Sequence, residues 1–267
     1  MVWAFSFAWA AGTRLPLHTG AIIALVVFAV YVCDRLLDAR AAIGSQLEAR
    51  LRERHYFHWR HRRVLAPLAI AAAAVAAILV FACIPSVARE RGSALAVASL
   101  AYMARVHQSQ FSFPHRSRPF FPPIFTKELL VGVFFAAGCA LPAMSSALAA
   151  SVAMQCAFLG MVALFAALAW LNCFAIEQWE SGSPHCYDPS VRTSAFCLAM
   201  TGLAAAILLC PLLPRVALLL VAAALSALLV ALLDRIRSFL SPVTLRAFAD
   251  LVLLTPLLLI SVARMVR

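Results

Sequence analysis

Apolar runs long enough to cross a bilayer recur along this chain. A transmembrane helix needs roughly 20 consecutive, mostly apolar residues. Such runs cover about 15–34, 64–84, 93–107, 127–144, 150–176, 193–211, 215–233 and 244–263. Hydrocarbon offers no hydrogen bonds to the backbone, so only helices and closed barrels span it. Barrel strands alternate in polarity, and these runs do not. The sequence therefore predicts an all-α, polytopic membrane helical bundle. The stretch 2–12 is too short to cross alone and reads as a fragment of a further helix, which gives about 8–9 transmembrane helices. "MVWAFSFAWAAG" has no basic n-region and is followed by more spans, so it does not read as a signal peptide. Pro85, Pro142, Pro211 and Pro214 are expected to punctuate turns. Composition agrees: 64% of the 267 residues are hydrophobic and 12% are charged.

The net charge of +11 does not point to nucleic acid. The basic residues cluster in loops, which is a topology signal. If the loop after the first full span is cytoplasmic, the inside regions hold 16 of the 22 basic residues. The loops 40–63, 108–126 and 178–192 are then expected in the cytoplasm, and the protein in the inner (cytoplasmic) membrane. Nine of the eleven acids fall at the same level: Asp34, Asp38, Glu48, Glu53, Glu128, Glu177, Glu180, Asp188 and Asp234. Acids and bases gathered on one face suit a polar chamber open to the cytoplasm. The eight cysteines show no metal-ligand spacing and read as small buried hydrophobes.

Two constellations could carry chemistry. "AVYVCDRLLDAR" closes the first full span and places Asp34 and Asp38 four apart, on one helical face about 5–6 Å from each other. Two readings are open: a pair that holds Mg²⁺, an ion that takes one or two carboxylates and fills its shell with water and phosphate, or a solvated helix end with Arg35 and Arg40 as partners. "WLNCFAIEQWESG" ends another long run with Asn172, Glu177 and Glu180, and the same two readings apply. Lys127, the only lysine, opens a span. It reads either as a phosphate-binding point charge or as a boundary charge that snorkels or pairs with Glu128. Gly132 and Gly138 in that span fit close helix approach. "RHYFHWRHRR" spaces His55, His58 and His61 by three. A metal site is possible there, but no acid accompanies it, and a basic aromatic segment along an anionic leaflet fits better. "RVHQSQFSFPHRSRPFFPP" is a second basic loop that could cover the chamber. Asp250 is expected to pair with Arg246 one turn away.

At these residues the chain resembles the UbiA superfamily of intramembrane prenyltransferases. That family has about nine transmembrane helices around a central cavity, with an aspartate-rich motif in each half. Its first motif reads N-D-x-x-D-x-x-x-D. Here Asp34 and Asp38 match, while Val30 and Tyr31 replace the usual Asn and Asp. The second reads D-x-x-x-D after an asparagine. Here Asn172 and Glu180 fit, Ile176 stands where the first acid belongs, and Glu177 sits one position on. For the Y-x-x-x-K element, Tyr102 and Arg105 are one residue out of register. The resemblance implies one UbiA-like domain over 1–267, with halves at roughly 1–107 and 127–267 joined by the loop 108–126. It implies that Asp34, Asp38, Glu177 and Glu180 bind Mg²⁺ and that, with Asn172, they form the catalytic site. Lys127, Arg105 and Arg35 would hold the diphosphate of an isoprenoid donor, and a lipophilic acceptor would attack the allylic carbon. Two other readings stay open. One is a degenerate member that binds or moves a polyprenyl lipid; the other is a cation-coupled transporter using Asp34, Asp38 and Asp250. No protein partner is inferred.

Overall fold

The computed structural model describes residues 1–44, 53–111, 127–181 and 190–265. Among them the chain is helical, with no strand: α1 (Val2–Ala10), α2 (Leu17–Gly44), α3 (Glu53–Arg60), α4 (Arg62–Cys83), α5 (Ser86–Phe111), α6 (Lys127–Leu148), α7 (Val152–Ser181), α8 (Val191–Leu209), α9 (Pro214–Ile236), α10 (Pro242–Val252) and α11 (Thr255–Met265). Six of these helices, α2, α4, α6, α7, α8 and α9, are long and apolar enough to cross a membrane. This is a multi-pass membrane protein. The expected span 93–107 lies inside α5, a long helix outside that group of six that carries Arg89, Glu90 and Arg91 near its start.

The helices form two compact units, one of α2–α5 and the other of α1 with α6–α11. In the first, α2 packs chiefly on α4, with α3 folded back against it and α5 alongside. In the second, α6 pairs with α7 and α8 with α9, and α9 also meets α7, α10, α11 and α1. The second unit has an aromatic core. Trp3 stacks on Phe165 at 4.2 Å between ring centroids, and Phe7 meets Phe165 and Phe158 edge-on. The short α1 thus serves as packing for the second unit.

Local chemistry explains the helix ends. Ser190 caps α8 and Ser241 caps α10, each accepting a bond from the backbone N–H three residues on. Pro214 and Pro242 stand at the first helical position, where the missing N–H costs nothing. Pro142 departs from its expected role: it lies inside α6, which continues to Leu148. Within a bilayer a proline is tolerated where neighbouring groups make up for the lost bond.

The expected span 244–263 is two helices, broken at Leu253–Leu254. Pro256 cannot donate into the previous turn, and it disfavours helical backbone at Thr255. The second unit satisfies the freed groups. Ser226 Oγ donates to the Val252 carbonyl at 2.7 Å, and Trp3 Nε1 donates to the Leu253 carbonyl at 2.8 Å. Thr255 Oγ1 donates to the Ala222 carbonyl at 2.9 Å.

The cysteines correct the sequence reading. Cys139 is buried and Cys173 half-buried, but Cys33, Cys83, Cys156, Cys197 and Cys210 are exposed. Lipid tails solvate an apolar side chain as well as a core does, so nothing drives these residues inward. Of the loops expected to be cytoplasmic, residues 45–52, 112–126 and 182–189 lie outside the described residues, and with them Glu48, Cys186 and Asp188.

Candidate functional site

On α2 the acid pair is arranged around its own arginine. Arg35 Nη1 stands 3.9 Å from Asp34 Oδ2 and 3.7 Å from Asp38 Oδ2. The three side chains are mostly buried, at 18% exposure for Arg35, 21% for Asp34 and 12% for Asp38. The guanidinium also lies over the Tyr31 ring, 5.2 Å from its centroid. Tyr31 in turn meets the buried His58 edge-on, which ties α3 to α2. His58 is therefore a packing residue, and His61 Nδ1 bonds the Phe57 carbonyl at 2.8 Å. Val30 and Tyr31, at the two replaced motif positions, are exposed. Tyr102 and Arg105 share α5 in the same unit, Tyr102 half-buried and Arg105 exposed.

In the second unit, one end of the bundle collects polar side chains from five helices. It is formed by the start of α6, the end of α7, the start of α8, the end of α9 and the start of α10. Lys127, half-buried, opens α6 here. Glu180, its side chain 6% exposed, is in close ion contact with Arg246 of α10 through Arg246 Nε and Glu180 Oε1. One turn deeper on α10, Asp250 lies beside the Asn172 side chain of α7. The expected Arg246–Asp250 pair within α10 is thus replaced by two contacts across to α7. Both helices are tied by contacts that a single-helix view cannot see. Asn172 is 5% exposed, and its Oδ1 has no hydrogen-bond partner. That is the orientation expected when the amide N–H₂ faces the carboxylate. Glu177 is half-buried on the same stretch of α7.

Asp234 is a polar centre that the motif reading passed over. It is 8% exposed at the end of α9. Trp179 Nε1 donates to its Oδ1 at 2.9 Å, Arg237 Nη1 stands 3.3 Å from the same oxygen, and Arg192 Nε stands 3.1 Å from Oδ2. A carboxylate closing the most apolar span in the chain, between two basic helix ends, is the signal that could have found it. Beside this network lies a pocket of about 240 Å³ lined by Ile176, Trp179, Glu180, Arg237, Leu245 and Arg246.

The residues can be tested against the expected Mg²⁺. Asp34 and Asp38 both reach one cationic nitrogen, so a single small cation can be shared between them, as that ion's preference for one or two carboxylates requires. Each of these carboxylates already has an arginine, Arg35 for Asp34 and Asp38 and Arg246 for Glu180, which Mg²⁺ would have to displace. Among the described residues, no group of three or more His, Cys, Asp or Glu is placed to hold a metal ion. Asp34 and Asp38 belong to the first unit, and Asn172, Glu177 and Glu180 to the second.

No protein-family model matches this chain, and neither does any curated protein or solved structure.

Proposed function

We propose that the protein is an intramembrane prenyltransferase of the kind its motifs resemble, moving an isoprenoid from its diphosphate to a lipophilic acceptor. One observation carries the reading. At the end of a membrane span, two largely buried carboxylates converge on one cationic atom, so the helix already presents a site for a shared cation. Carboxylates are costly near hydrocarbon and are kept there for a reason.

In the reaction the allylic C–O bond breaks and its electron pair leaves with the diphosphate. The acceptor bonds the allylic carbon and loses a proton. Mg²⁺, when bound at Asp34 and Asp38, supplies positive charge to the departing anion. Arg35 and Arg105, both of the first unit, would add fixed cations for the same anion, the form of stabilisation that contributes most at such sites. The apolar spans keep water from the carbocation.

Titration calorimetry in detergent with an isoprenoid diphosphate, in Mg²⁺ or EDTA, tests this reading. Metal and diphosphate should strengthen each other's binding by about 1–3 kcal/mol, and Asp38→Asn should remove that coupling. Equal affinity in Mg²⁺ and EDTA, unchanged by Asp38→Asn, would remove the proposal. A second reading, a binder of polyprenyl lipid without turnover, is favoured by the Glu180–Arg246 pair, which already neutralises one carboxylate of the second motif. Lipid binding without diphosphate release in a coupled assay would select it.

A further inference from the structure

A second feature stands apart from this chemistry. Where α2, α3 and α4 meet, the first unit has an open groove of about 470 Å³. Its apolar side is made by Leu36, Leu37, Ala66 and Pro67, and its rim by Arg40, Arg62, Arg63 and Trp59. All three arginines are exposed, and none forms an ion pair among the described residues. The nearest acids along α2, Asp34 and Asp38, face Arg35 instead. Arg62 is held in place: its guanidinium lies 4.4 Å from the Trp59 ring centroid, and Nη1 donates to the Trp59 carbonyl at 2.9 Å.

The groove's depth is fixed by the spans. Arg40 ends one candidate membrane span, Leu17–Arg40, and Arg62 begins the next, Arg62–Cys83. The cations therefore ring the boundary between hydrocarbon and water, and the apolar side lies just beneath them. Tryptophan and arginine both favour this level. Free phosphate would use the arginines and leave the apolar wall uncovered. A ligand that satisfies both parts has an anionic phosphodiester head and an apolar tail.

We infer that this groove is a binding site for an acidic phospholipid, with the phosphodiester on Arg40, Arg62 and Arg63 and an acyl chain along Leu37 and Pro67. Basic pockets between spanning helices recognise lipid head groups in this way, and guanidinium forks suit phosphate oxygens.

The test uses the full chain, reconstituted in equimolar phosphatidylglycerol and phosphatidylcholine and released into detergent for native mass spectrometry. The intact protein should retain phosphatidylglycerol in preference to phosphatidylcholine. Each basic side chain near an acidic surface is worth roughly a five-fold gain, so Arg40→Gln/Arg62→Gln/Arg63→Gln should lower the preference by about 10-fold or more. The matching triple lysine variant should keep most of it. Excess inorganic phosphate should not strip the lipid. If the triple glutamine variant does not fold, Trp59 fluorescence supplies the readout: brominated phosphatidylglycerol should quench it more than brominated phosphatidylcholine, measured against Trp59→Phe. Equal retention of the two lipids, equal quenching, or a preference that survives the triple glutamine change would overturn the inference. So would displacement of the lipid by phosphate alone, which would mark a site for the free anion.

Discussion

One span of the second unit, α9, is buried far more completely than either span of the first, α2 and α4, although α4 is almost as apolar. In α9, 67% of the most apolar stretch is buried, against 17% in α2 and in α4. Mean hydropathy does not separate them, at 2.9 for α9 and 2.7 for α4. In water such segments would compete for the core. In lipid an exposed apolar side chain costs little, so burial follows from packing fit. Helix α4 buries one stripe, Ala69, Ala72 and Ala76, whereas α9 buries side chains on all sides against α7, α8, α10, α11 and α1. Asp34 and Asp38 both face Arg35 of their own helix, while Glu180 and Asp234 each meet an arginine of another helix.

Removing packing from each unit in turn puts this difference under the most severe strain. Phe165, fully buried between Trp3 and Phe7, should cost about 3–5 kcal/mol when changed to alanine. Val32→Ala in the first unit, also at a buried position, removes two carbons and should cost about 1.5 kcal/mol. Thermal unfolding in detergent measures both. Equal losses would mean that the first unit depends on packing as much as the second.

Helix approach gives a smaller contrast. A Cβ added at Gly132 would lie 2.8 Å from the Ala166 carbonyl oxygen and from the Trp170 nitrogen, both backbone atoms that cannot swing aside. At Gly160 nothing lies within 4 Å. Gly132→Ala should therefore force α6 from α7 and cost about 1–3 kcal/mol. Gly160→Ala should be neutral or stabilise by up to about 1 kcal/mol through the helix preference of alanine. The same unfolding experiment decides. A tolerated Gly132→Ala would show that the α6–α7 contact is slack.

Polar deletions should have the smallest effects. Asp234→Ala leaves the Trp179 indole N–H unpaired and separates three helix ends, at a cost of about 1–2 kcal/mol. Its arginine partners are more than half exposed, so water replaces much of what they lose. Arg35→Gln should cost at least about 1 kcal/mol, because it takes a charged partner from two mostly buried carboxylates. It should also make Mg²⁺ raise the melting temperature, because Arg35 would no longer compete with the ion for Asp34 and Asp38. No response to Mg²⁺ in Arg35→Gln would mean that the pair does not hold the ion.

Contacts between residues close in sequence are legible from the chain alone. The positions of Asp34, Arg35 and Asp38 on one turn follow from helical period, and the observed geometry agrees. Gly132 is legible as a site of close approach because only a missing side chain lets two backbones meet. The partner of Arg246 is not legible. Two acids compete for it, Asp250 four residues away and Glu180 in another helix, and only the packing of α10 on α7 decides between them.

The order of residues is enough to make this chain helical, to carry it across the membrane several times and to set an acid pair at the end of α2. Those features depend on bilayer thickness, on backbone hydrogen bonds that lipid cannot supply, and on contacts within one turn. Packing between helices chose the rest: which span is central, where the last span breaks and what each buried charge in the second unit meets. Lipid is indifferent to which apolar face is covered, so side-chain fit and a few hydrogen bonds such as Ser226 to Val252 make those choices, and local periodicity does not encode them.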